Sequence, residues 1–148
     1  MKEIKDLGIS VSAIEINLSS ESKEDLLDKM ILLLSKTSHV KSASILKQDI
    51  LHRESLGNTD LGEQLSVPHA FSAGVDDFCA AIAVTADKKI CLLTAWNEHT
   101  DKNLKRMATL IELFQKKELC KKILSAKTAQ ELYATLSSEF ERYFTPAP

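Results

Sequence analysis

The sequence contains little glycine and little proline, with four and three residues respectively among 148. This scarcity argues against collagen-like chains, linker-rich chains and all-β proteins with many turns. Hydrophobic residues make up 44% and charged residues 27% of the chain, which excludes a mainly disordered state. The length fits one domain, and we find no linker, internal repeat or low-complexity segment that would divide residues 1–148.

Neither sign of charge dominates the chain. Nineteen Lys and Arg residues oppose twenty-one Asp and Glu residues, which leaves a formal net charge of −2. This balance provides no basic surface for duplex DNA or for an anionic membrane, so we expect no nucleic-acid partner. The basic residues Lys102, Lys105 and Arg106 are balanced by acidic residues, which favours a solvated helix face over a binding surface.

Long hydrophobic runs and paired cysteines are also missing. The longest apolar run, Met30–Leu34, is far below the roughly 18 residues that a membrane-spanning helix needs. Residues Met1–Asp6 have no apolar core of a signal peptide, so we expect a cytoplasmic domain without membrane insertion. The three cysteines, Cys79, Cys91 and Cys120, form no C-x-x-C pair. We expect them to be buried thiols in a reducing compartment.

Apolar patterning predicts several strands. Ile14, Ile16 and Leu18 alternate with polar or small residues, which is typical of a half-buried strand. Two longer apolar runs, Phe78–Thr85 and Ile90–Trp96, are joined by only four residues and predict a hairpin within a sheet.

Helical spacing of apolar residues and start signals predict five helices. In the third of them, an apolar stripe is expected to face the core, and it consists of Leu104, Met107, Ala108, Ile111 and Phe114. Because strands and helices are interleaved, we expect a single α/β domain with helices flanking a small mixed β-sheet. The predicted helices are Ser22 to Leu34, about Ser42 to Glu54, Thr100 or Asp101 to Phe114, Glu118 to Ser125, and Thr128 to Phe140.

Several standard sites are excluded by the sequence. Gly57 and Gly62 have the spacing of a phosphate-binding P-loop, but Glu63 and Gln64 follow where Lys and Ser or Thr are required. The sequence has neither an H-E-x-x-H pair nor a G-x-S-x-G elbow. We therefore expect no metal site and no cofactor.

His69 is the strongest candidate for a chemically reactive side chain. Pro68 before it has a φ angle restricted to about −65°, which makes the approach to His69 stiff. A neutral imidazole is a competent nucleophile when one ring nitrogen donates its N–H to an acceptor, because the other nitrogen then keeps a free lone pair. The Arg53 guanidinium, the Thr59 hydroxyl and loop amides are candidate groups for binding an anion beside it. These residues alone leave an ordinary structural histidine as an open alternative.

The residues around His69 carry a resemblance to a known family. Segments Arg53–Gly62 (RESLGNTDLG) and Leu65–Ala70 (LSVPHA) resemble the signature of the fructose/mannitol type (type 2) of enzyme IIA domains. That family belongs to the bacterial sugar phosphotransferase system and includes the nitrogen-regulatory IIA proteins. The resemblance covers about residues 9–136, since Ser22–Ser35 resembles the first family helix and Leu104–Leu136 the C-terminal helices.

The resemblance implies a phosphocarrier. His69 matches the histidine that takes a phosphoryl group from HPr or its nitrogen-branch relative, and Arg53 and Thr59 match positions beside that site. The partner on the acceptor side would be a IIB-type domain or a regulated target protein. We expect the nitrogen-regulatory branch, because the 148 residues contain no IIB or IIC segment and the family's second histidine is altered. The alternative is a IIA-like binding module that no longer transfers phosphate.

The match departs from the family pattern beside the site. Asn103 stands where the family has its second histidine, and His99 is close in sequence, so whether His99 substitutes is open. Asp60, Glu63 and Gln64 replace small or glycine positions of the loop. Two additional carboxylates disfavour phosphate binding unless they point away.

Overall fold

The computed structural model describes residues 2–144, in which a five-stranded sheet forms the centre of the fold. The two longest strands form an antiparallel hairpin, as predicted. The first strand runs parallel to one side of this hairpin, and two short strands lie end to end, both parallel to its other side. The predicted mixed sheet is therefore confirmed. The strands are β1 (Ile14–Leu18), β2 (Leu65–Ser66), β3 (His69–Phe71), β4 (Cys79–Thr85) and β5 (Ile90–Trp96).

Five α-helices flank the sheet, and side chains cap three of them at the predicted starts. The hydroxyls of Ser22, Ser42 and Thr100 each accept a hydrogen bond from the backbone N–H three residues later, which satisfies an otherwise unpaired donor. Short 3₁₀ segments at 4–7, 11–13 and 35–37 complete the regular structure. The helices are α1 (Lys23–Leu34), α2 (Ala43–Ser55), α3 (Asp101–Phe114), α4 (Lys117–Ser125) and α5 (Ala129–Phe144).

The sheet separates two hydrophobic clusters. One face packs against α1 and α2, and Leu46 and Ile50 of α2 are fully buried there, as predicted. The other face packs against α3, α4 and α5. Strand β4 has every residue buried because both of its faces are covered by helices. The molecule thus has three layers, with the central hairpin β4–β5 as its most protected part.

The first strand departs from simple alternation at Asn17. Asn17 has a φ of 62°, and the pairing of β1 with β4 shifts between Ile16 and Leu18. This irregularity turns Leu18 to the α1–α2 side of the sheet, whereas Ile14 packs on the opposite side. The prediction that these residues share one face is wrong for Leu18, because a bulge reverses side-chain direction.

The apolar stripe of α3 does not face the core as a whole. Leu104 is 71% exposed, Ala108 is exposed, and Met107 and Ile111 are half-buried. Phe114, the last residue of the stripe, is buried as predicted, and the other buried positions of α3 are Asn103, Thr109, Leu110 and Leu113. Two solvent-facing turns of apolar residues therefore start beside the N-terminus of this helix.

The cysteines follow the prediction only in part. Cys79 and Cys91 are buried, whereas Cys120 is half-buried and its thiol donates to the carbonyl oxygen of Phe114 at 2.9 Å. Burial raises the pKa of Cys79 to about 12 and that of Cys91 to about 11, so both stay protonated and unreactive. Within residues 2–144, no helix has both the length and the apolar character required to cross a bilayer.

Candidate functional site

The segment before His69 is held from two sides. Strands β2 and β3 are separated by Val67 and Pro68, both of which are buried. The backbone N–H of Val67 donates to the carbonyl oxygen of Thr59 at 3.0 Å, and the carbonyl oxygen of Pro68 accepts from the N–H of Thr94 at 3.1 Å. The loop on one side and β5 on the other thus position the start of β3.

His69 is oriented through one ring nitrogen. Its Nδ1 lies 2.8 Å from the carbonyl oxygen of Val67. Because a carbonyl oxygen only accepts hydrogen bonds, Nδ1 carries the proton, and Nε2 of the neutral ring carries the lone pair. The ring stacks beside Trp96, with centroids 6.0 Å apart and planes 12° apart. This half-buried imidazole has the geometry of a nucleophile that attacks through Nε2.

A cavity of about 350 Å³ lies beside His69. It is bounded by the start of β3, the end of β5 and the first turns of α3. Leu104, Met107 and Ile111 of α3 form one wall. The lining includes His69, Trp96, His99, Asn103, Leu104 and Met107.

His99 lies on the rim of this cavity. Its ring stacks on that of Phe71, with centroids 4.0 Å apart and planes 15° apart. Phe71 is two residues after His69 in β3, and alternate residues of a strand point to the same side. Both histidines therefore face one surface, with His99 on its exposed edge.

Asn103 is buried at the start of α3. Its backbone N–H donates to the Thr100 hydroxyl at 3.1 Å. Its side-chain Nδ2 donates to the carbonyl oxygen of Glu98 at 3.0 Å, and its Oδ1 accepts from Nη1 of Arg106 at 3.1 Å. Asn103 is thus held by its neighbours and also lines the cavity.

Lys102 and Lys105 are exposed, as expected of a solvated basic face, whereas Arg106 departs from that expectation. Only 12% of its side chain is exposed, and its guanidinium lies 5.7 Å from the centre of the Phe78 ring. Its nearest carboxylate oxygen, Oδ1 of Asp77, is 3.6 Å away. Asn103 and Arg106 are three residues apart, which places both side chains on one side of the helix. This spacing is the sequence signal that could have indicated their contact.

Arg53 and Thr59 lie on the loop side of His69 and do not line the cavity. Nη1 of Arg53 donates to the carbonyl oxygen of Gly57 at 3.0 Å. The Thr59 hydroxyl donates to Oε1 of Glu54 at 2.7 Å. Thr59 connects to the site through its backbone, because its carbonyl oxygen holds the N–H of Val67.

Glu54 was not singled out by the sequence, yet it organises this loop. Its side chain is 8% exposed, and Nζ of Lys23 forms an ion pair with Oε2 at 2.8 Å. Burial acts to raise the pKa of Glu54, but the Lys23 ammonium and the Thr59 hydroxyl outweigh it, and the pKa is lower than usual. Glu54 therefore stays ionised and ties α1, α2 and the loop together.

The additional carboxylates of the loop belong to another cavity. Asp60 and Glu63 are exposed and line a volume of about 770 Å³ near the end of α3 and the start of α4. Neither of them lines the cavity of His69. In residues 2–144, no cluster of three or more His, Cys, Asp or Glu side chains has the arrangement of a metal site.

Residues 9–139 match the family described as "Phosphoenolpyruvate-dependent sugar phosphotransferase system, EIIA 2". This chain belongs to that family. Among curated relatives, the fructose-specific EIIABC component of Bacillus subtilis is 26% identical over an alignment of 127 positions, which covers 78% of this chain and 20% of the relative. The chain spans about a fifth of the length of the curated relatives it matches. The resemblance seen in the sequence is thus confirmed.

Solved structures of similar fold agree with this family. The nitrogen regulatory protein IIA-Ntr from Neisseria meningitidis has a TM-score of 0.75 and 23% identity, and the match covers 90% of this chain and 99% of that one. Enzyme IIA of the mannitol system from Escherichia coli, solved in complex with phosphorylated enzyme IIB, has a TM-score of 0.71 and 16% identity. That match covers 88% of this EIIA domain and 97% of the other chain. These likenesses confirm the α/β fold.

Proposed function

We propose that this EIIA domain is a phosphocarrier of the phosphoenolpyruvate-dependent system that accepts a phosphoryl group on Nε2 of His69. The donor is the phosphohistidine of an HPr-like protein. The observation that carries the proposal is the hydrogen bond from Nδ1 of His69 to the carbonyl oxygen of Val67. It leaves the Nε2 lone pair free for attack, so no proton has to be removed from the nucleophile.

The transfer balances without a cofactor. Nε2 of His69 forms a bond to phosphorus while the P–N bond of the donor breaks, and the donor histidine leaves with the electron pair of that bond. In such a loose transition state, most of the catalysis comes from positioning and from stabilising charge on the equatorial oxygens. The stiff Val67–Pro68 segment and the adjacent cavity support the positioning part.

The supporting groups are proposed on both sides of His69. Arg53 uses one of its five N–H donors on Gly57, so others are available to a phosphoryl oxygen. Thr59 acts through the backbone, because its carbonyl oxygen holds Val67. Asn103 and His99 line the cavity and supply an amide and an imidazole. In this proposal Arg53, Asn103 and His99 supply hydrogen-bond donors to the phosphoryl group, and Thr59 holds the segment that positions His69.

As part of the same proposal, we assign this protein to the nitrogen-regulatory branch. The family's second histidine is replaced by Asn103, and the fold is similar to that of a nitrogen regulatory IIA protein. In this reading, the phosphorylation state of His69 controls a bound target protein, and the chain acts in the cytoplasm with its donor. A IIB-type domain is the acceptor expected for a sugar-specific member, as the mannitol complex illustrates for its own protein.

Incubation with enzyme I, HPr and phosphoenolpyruvate, followed by intact mass measurement, tests the proposal. We expect a mass increase of one phosphoryl group that disappears when phosphoenolpyruvate is omitted. The nitrogen-branch donor proteins are the second arm, and faster labelling by them supports the regulatory assignment. A wild-type protein that gains no mass with either donor set is a IIA-like binding module without phosphate transfer, and the proposal is then wrong.

A further inference from the structure

The side-chain amide of Asn103 has only one orientation that satisfies its neighbours. A guanidinium only donates hydrogen bonds, so the atom that faces Arg106 at 3.1 Å is Oδ1. The carbonyl oxygen of Glu98 only accepts, so the atom that faces it at 3.0 Å is Nδ2. An amide rotated by half a turn would oppose donor to donor and acceptor to acceptor. The orientation therefore follows from the chemistry of both partners.

One N–H of this amide remains for a ligand. Nδ2 carries two hydrogens, and the bond to Glu98 uses one of them. Among the described residues 2–144, the hydrogen bonds provide no acceptor for the other. Asn103 is only 7% exposed, and it lines the same cavity as His69. A phosphoryl oxygen in that cavity would give this second N–H an acceptor.

The positive charge of Arg106 is only partly balanced by its neighbours. Its side chain is only 12% exposed, and its Nε is buried without a hydrogen-bond partner in the described structure. Asp77, at 3.6 Å, is itself 55% exposed and also accepts from the N–H of Phe78 at 2.7 Å. Such an arrangement is costly for a group that serves only the fold. Arg106 does not itself line the cavity of His69, and its charge lies behind Asn103, which does.

We infer that Arg106 is a positioning residue that fixes Asn103 as a hydrogen-bond donor to the phosphoryl group carried by His69. This inference rests on the proposed function and adds the means by which an uncharged amide serves where the family has a histidine. Arg106 holds Oδ1, so the amide cannot rotate to present an acceptor to the phosphoryl oxygens. The guanidinium also polarises the amide, which strengthens its N–H as a donor.

Asn103 and Arg106 together take the place of the single histidine of the family. The amide supplies the hydrogen bond, and the arginine behind it fixes and polarises that amide. A preorganised donor of this kind typically contributes about 10²–10³ in rate. Removing Arg106 leaves the amide held only by the carbonyl oxygen of Glu98, so its orientation is less strictly fixed and part of that contribution is lost. We expect labelling of Arg106→Met to be slower than wild type by about tenfold to a hundredfold.

Single-turnover labelling with excess phosphorylated HPr tests the inference in four proteins: wild type, Arg106→Met, Asn103→Ala and the double variant. Met keeps the apolar stem that packs near Phe78. If Arg106 acts through the amide, its replacement has little further effect once Asn103 is Ala, so the two losses are not additive. A purely structural role of Arg106 would slow both backgrounds equally. Lys105→Met is the matched control, because it removes an exposed charge from the neighbouring position of α3 and should stay within about twofold of wild type.

A spectroscopic measurement covers the case in which Arg106→Met does not fold. In the ¹H–¹⁵N spectrum of wild type, phosphorylation of His69 should shift the Nδ2 signals of Asn103, and the hydrogen not bonded to Glu98 should shift more. Unchanged Nδ2 signals on phosphorylation overturn the inference. So does labelling of Arg106→Met at the wild-type rate, or additive losses in the double variant. A wild type that accepts no phosphoryl group overturns the proposed function and this inference with it.

Discussion

The hydroxyl of Thr59 donates to Oε1 of Glu54 at 2.7 Å. Through this contact the loop before His69 is fastened to the end of α2, and Lys23 on the other carboxylate oxygen adds the start of α1. The carbonyl oxygen of Thr59 then holds the N–H of Val67, whose own carbonyl oxygen orients His69. A continuous series of hydrogen bonds thus runs from a buried carboxylate to the proposed nucleophile.

Replacing Glu54 should destabilise the protein. Glu54→Gln keeps the size and an acceptor for Thr59 but removes the charge that Lys23 and Thr59 stabilise. Because hydrogen bonds to charged groups contribute about 1.5–3 kcal/mol, we expect a loss of about that size in the free energy of unfolding, measured with urea. Glu24→Gln is the control, since Glu24 pairs with Lys47 at the surface and should change stability by less than about 1 kcal/mol. Equal effects of the two substitutions would contradict the anchoring role of Glu54.

The contribution of Glu54 should depend on pH. Its pKa in the folded protein lies below the ordinary value of 4.5, so the folded state favours the ionised form. The corresponding stability is present above about pH 4.5 and is lost as the pH falls through the folded-state pKa. The difference in unfolding free energy between wild type and Glu54→Gln should therefore shrink as the pH is lowered from 6 towards the acid range. A difference that stays constant over this range would show that the charge of Glu54 is not involved.

His69 should be the only residue that is phosphorylated. His69→Ala should abolish labelling by HPr while the far-UV circular dichroism stays unchanged, because His69 is half-buried at the start of a short strand. His99→Ala should retain labelling, since His99 lies on the exposed rim and stacks on Phe71. Label that survives in His69→Ala and disappears in His99→Ala would reverse this assignment.

Arg53 should affect the rate of labelling more than the stability. A charge-assisted contact with a phosphoryl oxygen contributes about 1.5–3 kcal/mol, so Arg53→Ala should slow labelling by about tenfold to a hundredfold. The exposed neighbour His52 is the matched control, and His52→Ala should label at the wild-type rate. A large drop in melting temperature together with unchanged labelling would instead assign Arg53 to the structure of the loop, through its bond to Gly57.

Gly8 should tolerate no side chain. Its φ is +75°, and a Cβ there would lie 2.9 Å from both the Cα of Cys79 and the carbonyl oxygen of Phe78. Gly8→Ala should therefore lower the free energy of unfolding by more than about 1 kcal/mol, from backbone strain and a steric clash with β4. Gly62→Ala separates the two causes, because Gly62 has a φ of +86° but open space around its Cβ position. Similar losses in both variants would show that the clash with β4 adds nothing.

Local signals in the sequence determined the five helices and the longer strands of this EIIA domain, but not the short strand β3. The hydroxyls of Ser22, Ser42 and Thr100 cap helices at the predicted positions, because such caps depend only on residues three apart. The hairpin of β4 and β5 follows from two apolar runs with a short connection. The segment from Arg53 to His69 was sufficient to indicate the family, since a signature of this kind is contiguous in the chain.

Tertiary packing decided which faces and partners these elements have. The stripe that includes Leu104 has the period of a core helix, but the sheet is covered by other residues of α3, so Leu104 lines the cavity of His69 instead. The pairing of Glu54 with Lys23 joins residues 31 positions apart, and no local pattern indicates it. Arg106 has the sequence context of a solvated residue, yet it is mostly buried because the Phe78 ring and Asn103 surround it. Burial and long-range pairing depend on how the helices pack on the sheet. The local sequence of a single helix or loop does not indicate this packing.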